Sequence, residues 1–204
     1  MNLLPEALVF DFDGVIANTE PLYWRAWREL LKPYAVAFGW DEYCRIGRGI
    51  RDEKMLASLA EIVADADAMT EIKRRLPERR DMVHKWKLDQ PPIAEETVQL
   101  LKSLRGLTLG LVTSSDHADI EELLHNADIA DCFDACVFGE EIMSHKPDPA
   151  PYLLIRGKLG IRGGVAFEDS DAGLLSAAAA GFETIRVSSP DDLPWLVRKL
   201  VSGG

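Results

Sequence analysis

Five short apolar stretches, each with polar or acidic residues within two positions of its end, constrain the fold of this chain more than any other feature. Their residues run continuously instead of alternating with polar ones, which is typical of strands buried on both faces of a parallel sheet. Stretches with helical spacing separate them. The pattern predicts an α/β fold with a doubly wound parallel sheet. The five stretches are residues 7–10, 107–112, 135–138, 165–167 and 184–187.

The interval between the first two stretches is too long for a single crossover connection. It runs from Gly14 to Leu107, shows helical spacing, and contains no stretch typical of a buried strand. We therefore expect an inserted α-helical domain over residues 18–87, and a discontinuous core made of residues 1–17 and 88–204. Pro77 is expected to break one of the inserted helices.

Acidic residues gather where the predicted strands end. Asp11 and Asp13 follow the first stretch, and Glu168 and Asp169 follow the fourth. Open α/β sheets bind ligands at the carboxyl ends of their strands, and residues two apart on a strand face the same side. We therefore expect all four carboxylates in one cluster. A hard divalent cation would relieve their mutual repulsion, and Mg²⁺ is the usual occupant of such sites.

Residues suited to binding a phosphoryl group follow the other strands. Thr113 and Ser114 come directly after the second stretch, and Lys146 lies before two prolines in the segment SHKPDP. Hydroxyl and backbone N–H groups could hold phosphoryl oxygens, and a lysine would offset their charge. Gly14, which ends the DFDG segment, is grouped with these predicted phosphate-binding residues.

The two aspartates after the first strand suggest a division of chemical roles. Asp11, at the strand end, is the expected nucleophile, because carboxylates can form aspartyl-phosphate intermediates. Asp13 would protonate the leaving alcohol and then activate water. Lys146 would offset negative charge on the nucleophile and on the phosphoryl group. The site therefore predicts phosphoryl transfer with Mg²⁺ as cofactor.

Charge and cysteine content limit the partners that can be expected. The chain has 23 Lys and Arg against 34 Asp and Glu, and its formal net charge of −11 argues against nucleic acid or an anionic membrane. Three cysteines without C-x-x-C spacing fit a reduced, cytoplasmic protein. The first ten residues resemble neither a signal peptide nor a membrane span. A monomer is expected.

Four segments resemble the motifs of one known family. DFDGVI, LVTSS, HKPDP and FEDSDAG occur in the order of the four motifs of the haloacid dehalogenase superfamily. The resemblance is to the branch that contains β-phosphoglucomutases and phosphoglycolate-type phosphatases. It implies a Rossmann-like core, a helical cap, Mg²⁺ and a phospho-aspartate at Asp11. It also implies that the main-chain carbonyl of Asp13 is a metal ligand.

Two positions narrow the expected activity within that superfamily. Dehalogenases lack the second aspartate of the first motif, so Asp13 favours phosphoryl transfer. Mutase-like members carry His where this chain has Tyr23, which favours a phosphatase acting on a sugar phosphate, phosphoglycolate or similar metabolite. A β-phosphoglucomutase-type mutase remains the alternative, and a phospho-receiver or phosphate-binding module is more remote. Tyr23, Arg48 and Arg51 are the predicted substrate contacts of the cap.

Overall fold

The computed structural model describes residues 4–48, 50 and 52–202 of the chain. Contacts between residues divide the chain into two units, with divisions after Asn18 and after Gln90. One unit contains the strands and is built from two separate segments, while the other is helical and lies between those segments in sequence. The helical unit begins one residue later, and ends three residues later, than the boundaries expected from the sequence.

The strands form one parallel sheet with the order β3-β2-β1-β4-β5. The first strand in sequence is therefore central, and Leu8 pairs with Leu109 on one side and with Val165 on the other. This arrangement brings together residues about 100 and 157 positions apart in the chain. The strands are β1 (Leu8–Phe10), β2 (Leu109–Val112), β3 (Ala135–Val137), β4 (Val165–Glu168) and β5 (Glu183–Arg186).

Five helices accompany the sheet within the same unit. They are α6 (Glu95–Ser103), α7 (His117–Asn126), α8 (Ala150–Leu159), α9 (Asp171–Ala179) and α10 (Leu193–Val201). One sheet face, represented by Val9 and Ala166, packs with Tyr152 and Ile155 of α8 and with Ala177 of α9.

The opposite face of the sheet is also buried at its centre. Phe10 and Phe167 are register partners on β1 and β4, and their rings stack with centroids 5.0 Å apart. Both side chains are fully buried. Burial of both faces explains why the sequence of the central strands is continuously apolar. The predicted fold class, a Rossmann-like parallel α/β sheet with a helical insertion, is confirmed.

The helical unit contains α1 (Glu20–Leu31), α2 (Trp40–Ile46), α3 (Asp52–Val63), α4 (Ala66–Arg74) and α5 (Leu76–Asp89). Its core combines Trp27 and Leu30 of α1 with Tyr43, Leu59 and Ile72 of the next three helices. No helix in the described part of the chain is both long and apolar enough to span a bilayer.

One local expectation is wrong, and another is displaced by two residues. β5 is largely exposed, with Glu183, Thr184 and Arg186 open to solvent, because it lies at the sheet edge and pairs with β4 alone. The helix break expected at Pro77 is present, but it lies at Arg75, between α4 and α5. The chain turns at Arg75, and Pro77 occupies the first turn of α5, where its missing N–H removes no helical hydrogen bond.

Candidate active site

The backbone at the carboxyl ends of β1 and β4 places two acidic residues side by side. Asp11 directly follows β1, and its N–H donates to the carbonyl of Phe167 at 3.0 Å. This bond continues the β1–β4 pairing by one residue. Glu168 is the last residue of β4, and Asp169 follows it. The register of β1 and β4 therefore brings these carboxylates together at the carboxyl ends of the two strands.

Asp11, Glu168 and Asp169 form an acidic cluster that could hold a metal ion. Each offers a carboxylate oxygen, and the three oxygens lie within 4.8 Å of one another. Glu168 is fully buried, and Asp11 is 7% exposed. Such close and poorly hydrated carboxylates repel each other strongly unless positive charge is supplied.

Lys146 supplies part of that positive charge. Its Nζ lies 2.8 Å from Asp11 Oδ1 and 2.6 Å from Glu168 Oε1, so one ammonium group joins two members of the cluster. The same group donates to the carbonyl of Val112 at 3.3 Å. With a side chain only 8% exposed, Lys146 is held between β2 and the acidic cluster.

Burial and charge act in opposite directions on these groups. Burial raises the pKa of Asp11, the carboxylates of Glu168 and Asp169 raise it further, and Lys146 opposes the rise. Burial alone would lower the pKa of Lys146, but Asp11 and Glu168 outweigh that effect and raise it. The two carboxylates therefore favour the charged ammonium form of Lys146.

The donor set fits a hard divalent cation. Three carboxylates against one ammonium leave a formal excess of two negative charges among these four side chains. Carboxylate oxygens are the ligands that Mg²⁺ and Ca²⁺ prefer. A Cβ at Gly14 would overlap the Asp169 carboxylate, and Gly14 has a φ of +79°, which favours glycine. The DFDG backbone thus packs closely against a candidate metal ligand.

The side chain of Asp13 lies outside this acidic cluster. β1 ends at Phe10, so the alternation of an extended strand does not continue to Asp13. Its Oδ2 instead accepts a hydrogen bond from Ser115 Oγ at 2.9 Å. The structure thus brings together three of the four carboxylates that the sequence placed in one cluster, and Asp13 is directed to the loop after β2.

Thr113 and Ser114 lie in that loop, as the sequence indicates. Thr113 is 1% exposed, its N–H donates to the carbonyl of Val137 at 3.0 Å, and its Oγ1 accepts from the Ser115 N–H at 3.1 Å. Ser114 is more open, and a Cβ at Gly139 would overlap its backbone carbonyl. Glycine at position 139 therefore leaves the space that lets the loop after β2 approach this closely.

Three residues of the site were not found from the sequence. Ser115 follows two other hydroxyl residues, and nothing in the sequence indicates which of them reaches Asp13. Tyr152 resembles an ordinary core residue of α8, but its hydroxyl donates to Glu168 Oε1 at 2.7 Å. Burial raises the pKa of Tyr152, and Glu168 raises it further, so the hydroxyl stays protonated. Gly173 is the third residue: a Cβ at this position would overlap the Glu168 carboxylate, so the absence of a side chain makes room for it.

Two of the three predicted substrate contacts, Tyr23 and Arg48, lie in the described part of the helical unit. Tyr23 is part of α1, and its hydroxyl oxygen lies 3.0 Å from Lys87 Nζ of α5. Arg48 is exposed just after α2, where its backbone N–H donates to the carbonyl of Tyr43. Arg51 lies outside the described residues.

Comparison with known proteins identifies the family. A model of the family described as haloacid dehalogenase-like hydrolases matches residues 8–187, nearly the whole chain. The chain belongs to this family. The predicted resemblance is therefore confirmed.

Named phosphatases are among the related haloacid dehalogenase-like hydrolases. A phosphorylated carbohydrates phosphatase of Thermotoga maritima is 35% identical over 182 residues, covering 88% of this chain and 83% of the relative. A fructose-1-phosphate phosphatase of Escherichia coli is 30% identical over 185 residues, with 88% and 95% coverage. The prediction of an enzyme of the phosphatase type is confirmed by these relatives.

A solved structure of the family supports the fold. The crystal structure of a β-phosphoglucomutase from Clostridium difficile matches with a TM-score of 0.70 over 98% of both chains, at 20% sequence identity. At that identity the likeness concerns architecture only. It supports a shared architecture over nearly the whole chain.

Proposed function

We propose that this chain is a Mg²⁺-dependent phosphomonoesterase that acts on small phosphorylated metabolites through a phospho-aspartate on Asp11. One observation carries the proposal. The ammonium of Lys146 contacts both Asp11 and Glu168 inside a cluster of three carboxylates. The cluster lies at the carboxyl ends of the strands, where α/β proteins bind ligands. Positive charge from lysine and a cation would let this acidic site accept a phosphate ester.

Asp11, Glu168 and Asp169 would hold the cation with their side chains, and the main-chain carbonyl of Asp13 would contribute a further oxygen. When bound, the ion supplies positive charge that lowers the cost of placing a phosphoryl group beside a carboxylate. The protein residues supply the remaining parts of the reaction. Lys146 offsets charge on Asp11 and on the phosphoryl oxygens, and Thr113 and Ser114 hold those oxygens with hydroxyl and backbone groups.

In the first step, a carboxylate oxygen of Asp11 attacks phosphorus, and the bond between phosphorus and the ester oxygen breaks. The leaving oxygen takes a proton from Asp13, so the alcohol departs neutral. In the second step, Asp13 accepts a proton from water as the water oxygen attacks phosphorus. The bond between phosphorus and Asp11 then breaks, which releases inorganic phosphate and restores both aspartates.

We propose sugar phosphates as the substrate class, with phosphoglycolate as a second candidate of the same ester chemistry. Support comes from the two phosphatase relatives, whose names specify phosphorylated carbohydrates and fructose 1-phosphate. Tyr23, Arg48 and Arg51 stay predicted substrate contacts. Single alanine variants at these positions should raise KM for the preferred ester and leave Mg²⁺ binding unchanged.

Phosphate release from a panel of sugar phosphates and phosphoglycolate, measured with Mg²⁺ or with EDTA, tests the proposal. Release should require the metal, and Asp11→Asn should abolish it. Asp128→Asn changes an exposed aspartate that pairs with Lys102 and has no role in the proposed site, so it should leave turnover intact. Absence of Mg²⁺-dependent release across the panel would contradict the proposal. Conversion of β-glucose 1-phosphate to glucose 6-phosphate with a bisphosphate primer would instead identify a mutase.

A further inference from the structure

Glu168 is the most enclosed charged group of the site, and one of its oxygens carries two strong contacts. It has no solvent exposure. Oε1 lies 2.6 Å from Lys146 Nζ and accepts a hydrogen bond from the Tyr152 hydroxyl at 2.7 Å. A buried carboxylate costs free energy unless its oxygens are satisfied, so both donors matter for its position.

Tyr152 is itself held rigidly. It is fully buried in α8, and its ring meets that of Phe182 edge-on with centroids 5.5 Å apart. The ammonium of Lys146 lies 5.6 Å from the centre of the Tyr152 ring. A fixed ring places its hydroxyl at a fixed point, and no solvent reaches that point to compete for Glu168.

The second oxygen of Glu168 is confined as well. A Cβ on Gly173 would overlap the carboxylate, so the first turn of α9 forms one wall of its pocket. Ser170, whose hydroxyl caps α9 by accepting from the Gly173 N–H at 3.0 Å, lies 3.5 Å from Glu168 Oε2. Because a carboxylate is planar, a donor that fixes one oxygen also fixes the direction of the other.

We propose that Tyr152 is a positioning residue that orients Glu168 toward the divalent cation and toward Lys146. The inference rests on the proposed function, since it assigns Glu168 to the metal site. Tyr152 does not touch the reacting atoms. Its hydroxyl acts through Glu168, in the way that outer hydrogen-bond partners orient metal-ligating carboxylates.

Tyr152→Phe removes the hydroxyl and keeps the ring that packs on Phe182. Loss of such outer partners costs 10- to 100-fold in metal affinity or activity. We expect the dissociation constant for Mn²⁺, measured by calorimetry on the full chain, to rise about tenfold. At subsaturating Mg²⁺ kcat should fall, and at high Mg²⁺ it should partly recover with KM for the phosphate ester little changed.

Tyr43→Phe is a matched control. Tyr43 is also a buried tyrosine, and its hydroxyl donates to a buried glutamate, Glu20, at 2.5 Å, but both residues belong to the helical unit. This variant should lose similar thermal stability and keep the wild-type Mn²⁺ dissociation constant. An equal loss of Mn²⁺ affinity in both variants would attribute the effect to general destabilisation and overturn the proposal.

A double-mutant cycle shows whether Tyr152 acts through Glu168. In a Glu168→Gln background, Tyr152→Phe should change Mn²⁺ affinity by less than twofold, because the group it orients is no longer a carboxylate. Additive losses would contradict the proposal, as would wild-type Mn²⁺ affinity in the Tyr152→Phe single variant. A wild-type chain that binds Mn²⁺ but releases no phosphate would refute the proposed function alone, since the positioning role is measured by binding.

Discussion

Gly173 of α9 lies directly against the carboxylate of Glu168, with no room for a side chain between them. Gly173→Ala should therefore displace Glu168 from Lys146 and from the acidic cluster. We expect at least a tenfold loss of Mg²⁺-dependent turnover and weaker Mn²⁺ binding by calorimetry. Gly157→Ala is the matched control, because a Cβ there has nothing within 4 Å. As a helical glycine of α8, it should gain about 0.5–1 kcal/mol of stability.

Ser115→Ala should affect the rate more than substrate binding. Ser115 Oγ donates to Asp13 Oδ2, and a hydrogen bond to a charged group contributes about 1.5 kcal/mol. Without it we expect kcat to fall about tenfold, with KM within twofold of wild type, in steady-state assays on a sugar phosphate. Ser103→Ala removes a hydroxyl that donates to the carbonyl of Leu100 in its own helix, and should leave kcat unchanged. An unchanged kcat in Ser115→Ala would contradict the positioning of Asp13 by this serine.

Asp52→Ala should strongly destabilise the helical unit. Asp52 Oδ1 lies 2.5 Å from Arg79 Nη2, and the Arg79 side chain is only 6% exposed. Removing one partner of a buried pair leaves an uncompensated charge, at a cost of about 3 kcal/mol or more. Glu71→Ala breaks the exposed pair with Arg74 and should cost less than about 1 kcal/mol. Urea unfolding of both variants measures the contrast, and equal losses would refute it.

Cys136 should be the least reactive of the three cysteines. Burial raises the pKa of its thiol from 9.0 to about 11, so its thiolate fraction at pH 8 is about 100-fold lower than that of an ordinary thiol. Iodoacetamide followed by peptide mass spectrometry should show exposed Cys44 modified first. The folded state favours the neutral thiol, so this group's contribution to stability is intact below pH 9 and falls as pH rises toward 11. Faster modification of Cys136 than of Cys44 would contradict the assignment.

Much of the architecture could be predicted because strands buried on both faces have continuously apolar sequences. Continuous apolar residues indicate β1, β2 and β4, which are covered on both faces. The polar residues after them indicate the carboxyl ends of the strands, where ligands bind. β5 does not follow that rule, since an edge strand tolerates Glu183 and Arg186. The assignment of separate domains over 18–87 and the flanking core stays a prediction, as do the catalytic roles.

The parts of the site that escaped prediction depend on tertiary packing. Strand alternation predicts that Asp13 lies beside Asp11, but β1 ends at Phe10 and the chain bends at Phe12. The role of Tyr152 depends on Glu168, which lies on another element sixteen residues away. Nothing local distinguishes such a tyrosine from one that only fills the core.

The central place of β1 in the sheet has a consequence for how the protein is made. Its partners are β2 and β4, which follow about 100 and 157 residues later, so a growing chain completes the entire helical unit before β1 can pair. Until then, Leu8, Val9 and Phe10 have no neighbouring strand on the nascent chain. Long-range pairing of this kind slows folding and prolongs exposure of apolar segments. The delay between the synthesis of β1 and that of its partner strands therefore affects the yield of native protein, in addition to the stability of the final fold.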